Sequence, residues 1–221
     1  MIRGLFLVIT MQRQRLISIL LLSFFLLLLF APLHLWGGDC GPRQQLEVSI
    51  NRLLDVLRDV SLKGDEQQTL RRERIAEVVF LQFDMQRMAK LSLGRDWKAL
   101  NEVERSRFTS LYRNLLKESY VATIDGYAGE KISYLKEIIK GDKAEVQTAV
   151  IRGSLGVIPL NYRLKVNEDG QWLVYDVIIE NVSLVRNYRS QFGPIMNKSG
   201  FAALIDLMEK KTSQVGERKD G

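Results

Sequence analysis

The chain is nearly without the two side chains on which catalysts and metal sites most often depend. Its 221 residues include one cysteine, Cys40, and one histidine, His34. A lone cysteine excludes an intrachain disulfide, so the fold must be held by its core. His34 lies beside an apolar front end, and removing that end would leave no imidazole base and no zinc-ligand set. A G-x-S-x-G elbow, a glycine-rich phosphate loop and a carboxylate run with calcium-loop spacing are also missing. Serine, lysine, tyrosine and carboxylate are what remain for chemistry. The reading is a non-enzyme with no metal and no cofactor.

Neither is there a strong charge of one sign. The net charge is +6 and the pI about 9.4, but Lys/Arg and Asp/Glu are interspersed. That is a solvated surface rather than a nucleic-acid footprint, with a mild bias toward anionic headgroups or an acidic partner. At 46% hydrophobic and 26% charged residues, one globular domain is expected.

What is plentiful is leucine, concentrated at the front. LISILLLSFFLLLLFA runs from Leu16 to Ala31, behind Arg13 and Arg15. A basic segment before an apolar run is an export address. No good small-x-small cleavage site follows in LHLWGGDC, and Asp39 precedes Cys40 where a lipoprotein signal needs a small residue. Residues 1–40 therefore read as a signal peptide or, if uncut, as a membrane anchor, since the run extended to Trp36 approaches the ~20 residues that span a bilayer. Residues 41–211 are the expected folded domain and 212–221 a polar tail.

Helical spacing of apolar residues predicts helices over 44–62 and 66–80, parted by Lys63, Gly64 and Asp65. A shorter helix from Asp84 ends at Gly94. Asn101 and Glu104 form a capping-box pair that opens a long helix toward Gly126 or Gly129. Its stripe of Phe108, Leu111, Tyr112, Leu115, Leu116, Tyr120 and Ile124 is too broad for one flat neighbour. After Gly129 the period becomes two, predicting antiparallel strands over 131–139, 143–152, 157–166 and 171–180. In the last of these Leu173, Tyr175, Val177 and Ile179 are expected on one side, with Trp172, Val174 and Ile178 on the other. A strand apolar on both faces is covered on both. Helices near 183–197 and 199–211 close the chain.

The expected class is α+β: N-terminal helices on a twisted four-stranded antiparallel sheet that encloses an apolar cavity, followed by C-terminal helices. Candidate cavity-wall positions on the helix are Leu116, Tyr120 and Ile124. On the strands they are Val150; Ile158, Leu160, Tyr162 and Leu164; and Tyr175, Val177 and Ile179. Arg152, Arg163 and Arg186 are weaker candidates for a polar contact. Asp176 reads either as a general base in a cone-like isomerase or as a buried carboxylate satisfied by arginine and backbone donors.

Three segments carry a family resemblance: FDMQRMAKLSLGRDW (83–97), RFTSLYRNLLKESYVATIDGYAGEKI (107–132) and IPLNYRLKVNEDGQWLVYDVIIENVSLVRNYRSQFGPIM (158–196). Across most of 45–210 the chain resembles the MlaC family of periplasmic phospholipid-binding proteins. The resemblance implies a monomeric periplasmic carrier that holds phospholipid tails inside, against the wall positions above, and leaves the headgroup outside. It also implies two partners, an inner-membrane ABC transporter with an MCE-domain ring and an outer-membrane lipoprotein–porin complex, in a system that maintains outer-membrane lipid asymmetry. Paralogues of the family accompany hopanoid biosynthesis, so another lipid is the alternative cargo.

Overall fold

The structure, a computed structural model, describes residues 40–217; the leader expected over 1–40 lies almost entirely outside them. Helix α1 (Pro42–Arg58) starts with proline in its first turn, where a missing N–H costs nothing. Helix α2 (Gln68–Leu81) follows two short 3-10 turns, and α3 (Met85–Leu93) is capped by Asp84, whose side chain accepts the Arg87 N–H at 2.8 Å. Helix α4 (Glu102–Asp125) opens on the reciprocal Asn101–Glu104 capping box, both bonds 2.9 Å.

The sheet consists of β1 (Lys131–Lys140), β2 (Lys143–Ile151), β3 (Val157–Val166), β4 (Trp172–Ile179) and β5 (Val182–Ser183), all antiparallel and in sequence order. The four-stranded expectation is corrected to five. The extra strand has two residues, too short for any period to register. It turns on Glu180 (φ 48°) and Asn181 (φ 67°), two consecutive left-handed residues of the kind that suits a tight hairpin. The remaining edge of β4 is occupied by the α2–α3 connection: Val174 N–H donates to Gln82 O at 2.8 Å, and Asp84 N–H to Val174 O at 2.9 Å.

Two bulges re-aim the sheet. Leu135 is passed over between the pairs Tyr134↔Thr148 and Lys136↔Gln147, and Tyr175 between Arg163↔Asp176 and Leu164↔Val174. An unpaired residue flips the alternation beyond it. Val174 and Val177, three apart, thus share one face with Leu164, Tyr162 and Leu160.

The last helix, α5 (Leu184–Glu217), runs through the expected break as two helices joined at Gly200 (φ 77°), a conformation glycine alone adopts without strain. It extends past residue 211 into the segment expected to be a tail.

Apolar regions of different character result. Among the helices, Trp97, Phe108, Tyr112, Tyr188 and Phe192 interlock, with ring centroids of neighbouring pairs 5.2–6.3 Å apart and mostly edge to face. Between the sheet and α1, Leu46 and Ile50 pack on Val146, Leu164, Val174 and Val177. The broad stripe of α4 runs between regions: Phe108, Tyr112 and Leu115 lie in the ring cluster, Leu116 and Tyr120 touch both that cluster and an open space, and Ile124 borders the open space.

Candidate binding cavity

That open space is a cavity of about 390 Å³, within the range of sites that take an organic ligand rather than a stray water. Three walls define it. The sheet contributes Ile132, Val150, Ile158, Leu160, Tyr162, Val177 and Ile179. Helices α1 and α2 contribute Leu46, Ile50, Leu53, Leu54, Leu57, Val78, Val79 and Phe80. The second half of α4 supplies the third wall with Leu116, Tyr120, Val121 and Ile124.

Of the wall positions expected from sequence, Leu116, Tyr120, Ile124, Val150, Ile158, Leu160, Tyr162, Val177 and Ile179 border the cavity. Leu164 and Tyr175 do not. Leu164 is on the correct face but fully buried, locked among side chains beyond the hollow end. Tyr175 is the bulged residue, and the slip that brings Val177 inward turns Tyr175 toward the helical ring cluster. The α1 and α2 wall was absent from the expected site, although the same leucines had marked α1 as amphipathic; periodicity gives the apolar face of a helix but not what lies opposite it.

Two polar side chains in the apolar part, Ser49 and Gln82, are already paired. Ser49 hydroxyl donates to Gln82 Oε1, and Gln82 Nε2 donates to the Trp172 carbonyl. The Trp172 N–H in turn donates to Gln45 Oε1 at 2.8 Å. Such closed networks leave little polarity for a ligand to satisfy. Burial, and then neighbouring Tyr188, pushes the Tyr120 phenol up to about 12. Tyr162 is also pushed up, by burial first and then by Tyr134, so these rings are neutral apolar surface with a polar tip.

The opening is marked by the exposed members of the lining, Thr123, Gly126 and Arg152. Glu130 and Arg152 are the charged residues among the described lining, 3.7 Å apart across the ends of β1 and β2. Arg163 is elsewhere, on the opposite sheet face with Glu145 and Asp176, and Arg186 is exposed in the first turn of α5.

Asp176 does not border the cavity. Its Oδ2 accepts the Ser183 hydroxyl at 2.7 Å and Arg163 Nη1 at 3.3 Å, while Oδ1 accepts the Val185 N–H at 3.1 Å. It is the buried, satisfied carboxylate of the two readings and ties β4 to the start of α5. Among the described residues no cluster of His, Cys, Asp and Glu could hold a metal, and no helix is long and apolar enough to cross a membrane.

A mostly apolar hollow between helices and one face of an antiparallel sheet, opening on a single charged pair, defines an α+β fold with room for an amphipathic molecule. A phospholipid-binding protein from Ralstonia solanacearum, solved in complex with a phospholipid, has the same fold: TM-score 0.69 over 78% of this chain and 97% of that one, at 19% identity. The chain belongs to the MlaC protein family, whose model matches residues 47–210. A curated relative, the intermembrane phospholipid transport system binding protein MlaC of Haemophilus influenzae, is 28% identical over 127 residues. That match spans 55% of this chain and 59% of the relative. Both relatives are named for binding or transport, neither for catalysis.

Proposed function

We propose that this protein is a periplasmic phospholipid carrier that takes lipid tails into the cavity between α1, α2, α4 and the sheet and moves them between two membranes. The largely apolar cavity, in which Ser49 and Gln82 are already paired, is the observation that carries this reading. Burial is worth about 0.8 kcal/mol per methylene, so two acyl tails left bare in water cost on the order of 20 kcal/mol. Unaided transfer is correspondingly slow. A wall of leucine, isoleucine, valine and tyrosine replaces the bilayer interior at nearly equal free energy, which keeps loading and release reversible, and no bond is made or broken.

In this reading the nine bordering residues contact the tails, and the headgroup sits near Thr123, Gly126 and Arg152. The exchange partners are an inner-membrane ABC transporter with an MCE-domain ring and an outer-membrane lipoprotein–porin complex, consistent with the transport-system name of the Haemophilus relative. The leader that would export the chain belongs to the residues outside those described. Extraction of protein purified from its host, followed by mass spectrometry, tests the proposal. Phospholipid in stoichiometric amount is expected. A different lipid, such as a hopanoid, would replace the cargo but keep the carrier, and a preparation with no bound lipid would overturn both.

A further inference from the structure

Glu130 and Arg152 are held very differently. The Glu130 side chain is 15% exposed and pinned: Oε2 accepts the Ala128 N–H at 2.8 Å, and the Tyr127 hydroxyl donates to the Glu130 carbonyl at 2.8 Å. Its own backbone N–H, that of Ala128 and then Arg152 hold the carboxyl below the ordinary carboxylate range, so it is charged at neutral pH. Arg152 is 43% exposed, its Nε stands 3.7 Å from Glu130 Oε1, and it precedes a turn in which Gly153 and Gly156 both have positive φ. At that separation the guanidinium is attracted but not hydrogen-bonded. The mouth therefore presents a fixed negative charge beside a cation with room to move.

A phospholipid whose tails fill the cavity must bring its phosphodiester to this rim, and the two charges then select among headgroups. Arg152 is the natural partner of the phosphate, which removes it from Glu130. The carboxylate is left facing whatever lies beyond the phosphate. An alcohol headgroup offers Glu130 no counter-charge and leaves it close to the phosphate. An ammonium headgroup offers N–H donors and a positive charge a few bond lengths from the phosphate, matching the order of charges on the protein.

We infer that the Glu130–Arg152 pair selects zwitterionic aminophospholipids over anionic ones, with Arg152 receiving the phosphate and Glu130 the ammonium. This rests on the carrier reading above. The test uses the full chain, expressed with its own leader, stripped of lipid and incubated with vesicles holding equal amounts of phosphatidylethanolamine and phosphatidylglycerol with the same tails. Mass spectrometry of the recovered protein counts each headgroup. The expected enrichment of phosphatidylethanolamine in the native protein is about threefold, the scale of a partly exposed charge pair. E130Q, which keeps an acceptor for the Ala128 N–H, should return the bound lipids to the vesicle ratio, and E130K should favour phosphatidylglycerol. R152Q keeps the carboxylate and removes the cation, so it should widen the enrichment. Uptake by the native protein in the vesicle ratio, or enrichment that survives in E130Q, overturns the headgroup assignment alone. No uptake of either lipid by the native protein overturns the carrier reading itself.

Discussion

The Ser183 hydroxyl bridges two elements: it donates to Asp176 Oδ2 at 2.7 Å and accepts the Arg186 N–H at 3.2 Å. Through it the buried end of β4 is joined to the first turn of α5, where the N-terminal amides favour a negative charge. Asp176→Ala would leave the Ser183 hydroxyl and the Val185 N–H without an acceptor and Arg163 with Glu145 alone. The expected cost is about 3 kcal/mol of stability, read by urea denaturation. Lipid bound per folded molecule should not change, because the carboxylate faces away from the cavity. A loss of lipid without loss of stability would contradict this assignment.

The two ends of the sheet's inner face should respond differently to truncation. Leu164 is fully enclosed, so Leu164→Ala should cost about 3 kcal/mol through lost contacts and a new void. Leu160 already borders open space, and Leu160→Ala should cost about 1 kcal/mol. Equal costs in chemical denaturation would mean that the cavity does not reach Leu160.

Filling the cavity should displace its contents. Leu160→Trp and Val177→Trp direct an indole into the hollow from adjacent strands, and each is expected to lower bound lipid severalfold with the far-ultraviolet circular dichroism preserved. Unchanged lipid content in both would remove these residues from the wall in contact with the tails.

Alkali should loosen the fold through its phenols. Burial raises Tyr120 to about 12, and Tyr134 to about 12 with Glu47 assisting. Above the unfolded value near 10 the unfolded chain ionises and the folded one resists, so the native state holds more protons and stability falls as pH rises. The loss should begin near pH 10 and be complete near pH 12. Both rings are only partly buried, so the effect is direction and window rather than a large energy. Melting temperature followed against tyrosinate absorbance checks it; a melt constant across that range would refute it.

Tyr112 offers a cleaner single-atom test. Its hydroxyl accepts the buried Ser92 hydroxyl at 2.9 Å inside the ring cluster. Tyr112→Phe leaves that hydroxyl without its partner at a cost of about 1 kcal/mol, measurable as a shift in urea midpoint with an unchanged slope.

Regular segments were legible in the sequence because their period is set by the backbone. The four long strands lie within a residue of where alternation puts them, and α3 and α4 end close to Gly94 and Gly126. The irregular residues were not legible. Tyr175 occupies a run apolar on both faces, so alternation there fits either register, and only its pairing with β3 reveals the slip. Leu135, 64% exposed, is likewise an apolar residue at a position where a strand pattern expects simple continuation. Gly200 and the Glu180–Asn181 turn depend on where α5 must go. The cavity wall was half legible: its strand face came from alternation, but α1 and α2 become wall only through tertiary packing. Hollow and solid apolar faces use the same residue types, which is why Leu164 could not be told from Leu160.

The interlocked rings of Trp97, Phe108, Tyr112, Tyr188 and Phe192 sit apart from the hollow side of the sheet. Rigidity and vacancy are thereby divided between separate parts of one small molecule. On the carrier reading, emptying the vessel would remove no contact from the keel, since none of these five rings lines the hollow, and an unladen copy would keep its shape for the next cargo.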